Sequence, residues 1–218
     1  MINYSPLDGD VLTKPIPYRP KTCFIMTQLG KPISDDLMKI RKSISEVLKS
    51  LGFSEIDASS KVTGRDFLLK IWQIALSVPI GIGIITEKFS PQTYANIFYE
   101  IGLMHALGKE TLIVKTPVSK VPSDFIRTEY IQYDDDFSTN LKNYIDTLHS
   151  VADHYSTMAE QLNQNPLLSI DYYKRSYLIT GNEKFKDTAK TIYGSGYLNN
   201  VLKSLNINAL IDFSWMER

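Results

Sequence analysis

The nine residues "VPIGIGIIT" (78–86) constrain the fold more than any other stretch. An unbroken apolar run with two glycines is the signature of a strand covered on both faces, and such strands belong to parallel sheets with helices above and below. The flanking sequence agrees. "TCFIMT" (22–27), "FSEIDA" (53–58), "ETLIVK" (110–115) and a short edge run "EYIQY" (129–133) read as further strands. Between the first two, Ser34 is placed to cap a helix whose first turn carries Asp35 and Asp36. Its residues Leu37, Ile40, Ile44, Val47 and Leu48 recur at three- and four-residue spacing, marking one buried face. "GRDFLLKIWQIAL" (64–76) and "PQTYANIFYEIGLMHAL" (91–107) read as the next two helices, the latter opened by the cap pair Ser90-Pro91. The expectation is an α/β domain over residues 21–134, a parallel sheet of four to five strands with helices on both faces.

The flanks differ from this core. Residues 1–20 carry Pro6, Pro15, Pro17 and Pro20, which fix φ and remove donors, so they are expected to form an extended arm on the domain or an oligomer contact. Residues 135–218 read as helical: a long amphipathic helix from Phe137, broken at Asn165-Pro166, then two antiparallel helices around Gly181-Asn182 and a short one near "YLNNVLKSL" (197–205). The antiparallel pair resembles a single tetratricopeptide unit, but one unit cannot build a stacked array, and a helical cap or dimerisation element is the expectation.

Charge and composition exclude several function classes. Lys plus Arg and Asp plus Glu both total 24, so no global field draws nucleic acid or anionic membrane, and no direct nucleic-acid binding is expected. The single cysteine, Cys23, lies in an apolar stretch and reads as a small core residue. The N-terminus lacks a signal-peptide plan, and no apolar run approaches the roughly 18 residues needed to span a bilayer, so a cytoplasmic protein is expected.

The stretch "ANIFYEIGLMHALGKE" (95–110) raises a chemical question. From Phe89 to Gly108 the only formally charged side chain is Glu100. In projection Ile97, Phe98, Ile101 and Met104 share one face of the helix. Glu100 lies roughly 100° off its centre, beside Asn96, Leu103 and Leu107. An ionised carboxylate there would cost several kcal/mol unless paired, hydrogen-bonded or opened onto a ligand cavity. Two readings stand: Glu100 pairs with Arg65 or a lysine, or caps backbone amides; or it is a functional group with a raised pKa. In a parallel sheet, ligands sit beyond the carboxyl ends of the strands, which makes "TQLGKP", "DASSKVTGRD", "TEKFSPQT" and "KTPVSKVPSD" the candidate loops.

The order of these segments, with "NIFYEIGLMHALGK" matching N-x-x-Y-E-x-G-x-x-x-A-x-G-K, resembles the nucleoside 2-deoxyribosyltransferase-like and Toll/interleukin-1 receptor (TIR)-like group of flavodoxin-like domains over residues 22–133. The resemblance implies cleavage of an N-glycosidic bond, with Glu100 as nucleophile or essential carboxylate and a nucleotide, NAD included, as substrate or ligand. No further cofactor is implied. It also implies that Gly102 lets helix and sheet approach closely and that Gly108 ends the helix. The substrate-binding set expected around Glu100 is Gln28, Gly30, Asp57, Arg65, Phe89 and Asn96. Asp57 and Asp66 would meet ribose hydroxyls or serve as helix-capping or solvated loop carboxylates; Phe89, Tyr94 or Trp72 would stack on a base or fill the core; and Lys31 or Arg65 would meet a phosphate or stay solvated at the surface. One departure is plain: members usually carry an aspartate-rich segment after the third strand, where this chain has "TEKFSPQT" with Glu87 as its one acid. His105 is expected to be a hydrogen-bonded core residue. His149 and His154 are badly spaced for a shared metal, so no metal is expected. The resemblance further implies a prokaryotic defence effector that works as a homo-oligomer, assembled through the C-terminal helices. A nucleotide-binding sensor and an interaction protein are the alternative readings.

Overall fold

Every residue of the strand Ile80–Ile85 is buried, and a five-stranded sheet is built around it. The computed structural model describes residues 3–5, 8–12, 14–59, 66–125, 128–196, 198 and 211–217. Its strands are β1 (Thr22–Met26), β2 (Ser54–Asp57), β3 (Ile80–Ile85), β4 (Glu110–Lys115) and β5 (Glu129–Gln132). They lie in the order β2-β1-β3-β4-β5 with every neighbouring pair parallel. This is the flavodoxin-like order expected from the sequence. The helices α1 (Asp35–Ser50), α2 (Asp66–Ser77) and α3 (Pro91–Ala106) make the crossovers. From β1 to β2 the chain steps one way along the sheet, and from β2 onward it steps the other way. Right-handed crossovers therefore put α1 on one face and α2 and α3 together on the opposite face.

The local chemistry explains the ends of these helices. Ser34 and Ser90 accept hydrogen bonds from the backbone N–H groups of Leu37 and Thr93 and so cap α1 and α3. Beyond α3, Gly108 has φ +62°, and the N–H groups of Gly108 and Lys109 donate to the carbonyls of His105 and Met104. That closes a Schellman motif, a conformation strained for any residue with a Cβ.

The interior is aliphatic: Ile80, Ile82, Ile84 and Ile85 of β3 and Leu112, Ile113 and Val114 of β4 are buried. Each such side chain contributes roughly 1.5–3 kcal/mol relative to exposure. The close approach of helix to sheet has a different origin from the one expected. A Cβ on Gly83 would stand 2.7 Å from Ile101 Cδ1 and 3.3 Å from its Cγ1. One on Gly81 would stand 2.7 Å from Met26 Cε and 3.1 Å from Met104 Cε. A Cβ on Gly102, by contrast, would meet nothing within 4 Å. The strand glycines, not the helix glycine, let α3 settle onto β3.

The chain divides into two compact units, one covering Lys21–Asp146 and the other Met1–Pro20 with Thr147–Arg218. The division falls within α4 (Phe137–Gln161). The second unit contains α5 (Pro166–Thr180), capped by Asn165 and ended at Gly181 with φ +67°, and α6 (Glu183–Tyr193), capped by Asn182. Its core gathers Ala159, Ile170, Tyr173, Tyr177, Leu178, Ala189, Trp215 and Met216, with Tyr18 packed against them. The proline-rich arm thus belongs with these helices, and the Ile16 N–H donates to Asp212 at 2.8 Å. Buried Asp171 pairs with Lys174 at 2.9 Å and with Arg175 at 3.1 Å. Burial raises the pKa of its carboxyl, but the two cations outweigh that and hold it far below the usual range. Most of the expected short helix at 197–205 lies outside the described residues. Among those described, no helix is long and apolar enough to cross a membrane.

The glycine geometry sets up opposite outcomes for two substitutions. Gly83→Val overpacks the β3–α3 contact and lowers stability by about 1–3 kcal/mol. Gly102→Ala fills open space on a helix and raises it by roughly 0.5–1 kcal/mol. Urea midpoints of the two variants check this, and a destabilised Gly102→Ala contradicts the assignment.

Candidate active site

At the carboxyl end of the sheet, the chain leaves β1 toward one face and β3 toward the other, and the two departures open a crevice between them. A cavity of about 510 Å³ occupies this place, within the range of small-molecule sites. Three segments line it: Thr27 to Lys31 after β1; Phe67, Leu68 and Ile71 on α2; and Thr93, Asn96, Ile97, Tyr99 and Glu100 on α3. Of the four candidate loops, the one after β1 contributes directly, while the β3 loop delivers the helix that carries the carboxyl. The loop after β4 is not part of the wall, and residues 60–65 after β2 lie outside the described residues.

Glu100 is buried at 7% exposure, and it flanks the Ile97–Ile101 face that packs against the glycines of β3, turned toward the cavity wall. Among the described residues it has neither an ion-pair nor a hydrogen-bond partner. The reading in which a cation or a backbone amide compensates it has no support there. Burial alone pushes its carboxyl up to about 8, so it holds its proton at neutral pH. Elsewhere in the cavity wall, Thr27 carries a buried hydroxyl that also lacks a hydrogen-bond partner among the described residues. Each such group costs stability while it lacks a partner.

The remaining expected residues separate into groups. Gln28, Gly30 and Asn96 line the cavity with Glu100. The side chain of Gln28 is engaged within its own loop, donating to the carbonyls of Gly30 and Pro32 at 2.9 Å each. Asn96 Oδ1 accepts from Gln92 Nε2 at 3.0 Å. Asp57 stands apart from the cavity wall. It pairs with Arg41 of α1 at 2.6 Å and accepts from the Ser59 N–H at 3.0 Å. Burial raises its pKa, but the bonds from Ser59 and Arg41 outweigh it and leave a lowered value, an ionised structural carboxylate. Phe89 is likewise outside the wall, packed edge-on against Tyr94 at 6.1 Å. Tyr94 and Trp72 do not line it either, and the Tyr94 hydroxyl donates to the Thr86 carbonyl at 2.9 Å. Arg65 lies outside the described residues, as does the side chain of Asp66. Glu87, the acid of the third loop, accepts from Thr116 Oγ1 at 2.6 Å, a bond that lowers its pKa.

Five wall residues escaped the sequence reading: Phe67, Leu68, Ile71, Thr93 and Tyr99. Thr93 had a legible signal, since 93, 96 and 100 repeat at three and four on one side of a helix. His105 is hydrogen-bonded to Thr111, as expected, but it is exposed near the end of α3 rather than in the core. Among the described residues no cluster of three or more His, Cys, Asp or Glu side chains is arranged to hold a metal. Cys23 is fully buried, and burial raises its thiol pKa far out of the reactive range.

The raised carboxyl has a stability signature. Above pH 4.5 an unfolded chain releases the Glu100 proton, while the folded protein keeps it until about 8. Stability from this group is therefore fully present below pH 4.5 and is lost as pH rises toward 8, at about 1.4 kcal/mol per unit. Glu100→Gln removes that slope. At pH 8 the variant is more stable than the wild type by on the order of 2–5 kcal/mol, and near pH 4 the two converge. Urea titrations at both pH values measure the difference; parallel pH dependence in the two proteins contradicts the burial assigned to Glu100.

No family model matches the chain, and no curated protein matches it. Among solved structures it is similar to a 2-deoxyribosyltransferase from the psychrotolerant bacterium Bacillus psychrosaccharolyticus, described as a biocatalyst for nucleoside synthesis. The match has a TM-score of 0.44 and 16% identity, and covers 56% of this chain and 91% of that one. At that level the similarity does not extend to function.

Proposed function

We propose that the chain cleaves the N-glycosidic bond of a nucleoside or nucleotide at the crevice between β1 and β3, with Glu100 as the essential carboxylate. The observation that carries this reading is a buried carboxyl, without a partner among the described residues, in the wall of a ligand-sized cavity at the place where parallel sheets bind ligands. The helix motif around Glu100 supplies the class of reaction, through its resemblance to the deoxyribosyltransferase-like group.

The chemistry needs few groups. As the bond between the anomeric carbon and the base nitrogen breaks, its electron pair leaves with the base and positive charge develops on the sugar. The Glu100 carboxylate stabilises that charge or bonds to the anomeric carbon. In hydrolysis water then bonds to the anomeric carbon in place of the carboxylate and gives up a proton, which balances the one the departed base takes up; in transfer a second base does so through a ring nitrogen, and the carboxylate is regenerated. Phe67, Leu68 and Ile71 provide an apolar wall that excludes bulk water and strengthens the interaction of carboxylate and cation. In the free protein the resting carboxyl is protonated, so turnover requires its ionisation.

A second reading, a sensor that binds a nucleotide without turnover, is favoured by one observation. The loop that is aspartate-rich in the transferases here contains only Glu87, and that side chain is bonded to Thr116.

Base release separates the two. Purified protein is incubated with each deoxynucleoside, ribonucleoside and 5′-monophosphate and with NAD, and free base is measured beside Glu100→Gln. The enzyme reading expects release by the wild type and a loss of at least about 100-fold in the variant. It also expects kcat/KM to rise with pH up to about 8 and then level, because the ionised form is active. Release that survives the substitution removes the mechanism, and a rate that falls through pH 8 makes Glu100 the proton donor instead. Binding without release in either protein favours the sensor.

A further inference from the structure

A second cavity, of about 450 Å³, lies at the opposite end of the sheet from the crevice, where β4 and β5 begin. The strand register divides its wall in two. Thr111 is level with Gly81, where a Cβ would meet Met104 of α3, so Thr111 stands on the α3 face of the sheet. There its hydroxyl is hydrogen-bonded to His105 Nε2, with Thr128 Oγ1 3.5 Å from the same nitrogen. Glu110, the next residue back along β4, points to the other face. Glu129 is level with Leu112, two residues on from Glu110, so the two carboxylates share that face. Beside them α4 contributes Tyr144, a phenol buried to 7% exposure. Its pKa is raised first by burial and next by the charges of Glu110 and Glu129, so both carboxylates act on one hydroxyl from neighbouring strands.

The balance of charge in this wall is negative. Lys109 supplies the one cation described there, and its ammonium donates at 3.0 Å to the carbonyl of Leu76 in the last turn of α2. Partial burial lowers the pKa of His105 against the pull of Glu110, which leaves the imidazole neutral at neutral pH. Glu129 is exposed and has no ion-pair or side-chain hydrogen-bond partner among the described residues. The chain as a whole carries no net charge, so the negative potential is local to the cavity.

We infer that this cavity binds a small primary amine, its ammonium group held by Glu110, Glu129 and Tyr144. An ammonium carries three N–H donors, and this side of the wall offers two carboxylates and a phenol hydroxyl, which can accept one hydrogen bond while donating another. The contacts to the carboxylates are charge-assisted, the stronger class of hydrogen bond. A resident divalent metal suits the wall less well. Calcium takes roughly six to eight oxygen ligands, and among the described residues no group of three metal-ligating side chains is arranged to supply them. Across the cavity Thr111, Thr128 and His105 make the facing wall polar, which favours a short or hydroxylated amine over a long hydrocarbon one. Glu100 and its crevice are at the other end of the sheet, so amine binding here is independent of the glycosidic chemistry proposed above.

Calorimetric titration of the full chain near neutral pH and at low salt, with ethanolamine, putrescine, tetramethylammonium, calcium and magnesium, tests this. The two primary amines are expected to bind at least about 10-fold more tightly than tetramethylammonium, which has the charge without the donors. Glu129→Gln, a change at an exposed side chain, weakens both amines roughly 10-fold, as does Glu110→Gln. Tyr144→Phe weakens them roughly 3-fold. Glu100→Gln leaves them unchanged. Primary amines that bind no better than tetramethylammonium, or not at all at millimolar concentration, overturn the inference. Affinity that survives both glutamate substitutions, or that is lost in Glu100→Gln, places the cation elsewhere and overturns it as well. Calcium or magnesium that displaces the amine at equal concentration makes the cavity a metal site and likewise overturns it.

Discussion

The contact of Ile97, Ile101 and Met104 with the side-chain-free surface of Gly81 and Gly83 decides where everything else in the α/β unit stands. Without Cβ atoms at those two strand positions, α3 lies close to β3, and the helix is drawn in far enough to take Glu100 out of water. The burial that raises the carboxyl pKa is therefore a consequence of helix–sheet packing, not of any group aimed at the carboxyl. The topology then supplies the opening. Because the strand order turns at β1 and β3, the same packing that hides Glu100 leaves a cavity beside it.

This arrangement sets stability against function. A neutral side chain of the same shape at position 100 would hold the fold better near neutral pH, so the glutamate is retained at a cost that the packing does not require. Two acids near the carboxyl ends of strands in this unit show the contrast. Asp57 and Glu87 have hydrogen-bond donors and lowered pKa values, the ordinary fate of a carboxylate in a folded protein. In the helical unit Asp171 is as buried as Glu100, yet two cations keep it ionised. Similar burial thus gives opposite charge states, and the difference is the presence of a partner.

Much of the fold was legible in the chain because strands buried on both faces leave continuous apolar runs, and because Ser34, Ser90, Asn165, Asn182 and the glycines beyond the helices mark their ends. Glu100 was legible for a related reason, as the one formal charge in a long apolar stretch. What sequence could not reveal was which side chains stand opposite one another. Gly102 sits in the motif and looks like the close-approach residue, but it is the residue across the interface that decides, and the crowded glycines are on the strand. Asp57 looked free for a ribose until α1 placed Arg41 beside it. Phe67 and Leu68 carry the pattern of core residues, and only the crevice between α2 and α3 turns them into a wall. Gln28 lines the cavity, and its amide nitrogen also closes a local contact that spacing does not reveal.

The central claim is that Glu100 rests as a neutral carboxylic acid in the ligand-free protein at neutral pH. Titration of glutamate side-chain carboxyl carbons by NMR in the 13C-labelled protein, with the Glu100 resonance assigned by its disappearance in Glu100→Gln, measures this directly. The account predicts a midpoint near 8 for that one carboxyl. A midpoint near the ordinary 4.5 would mean that Glu100 is solvated or paired, and would contradict both the burial and the chemistry derived from it.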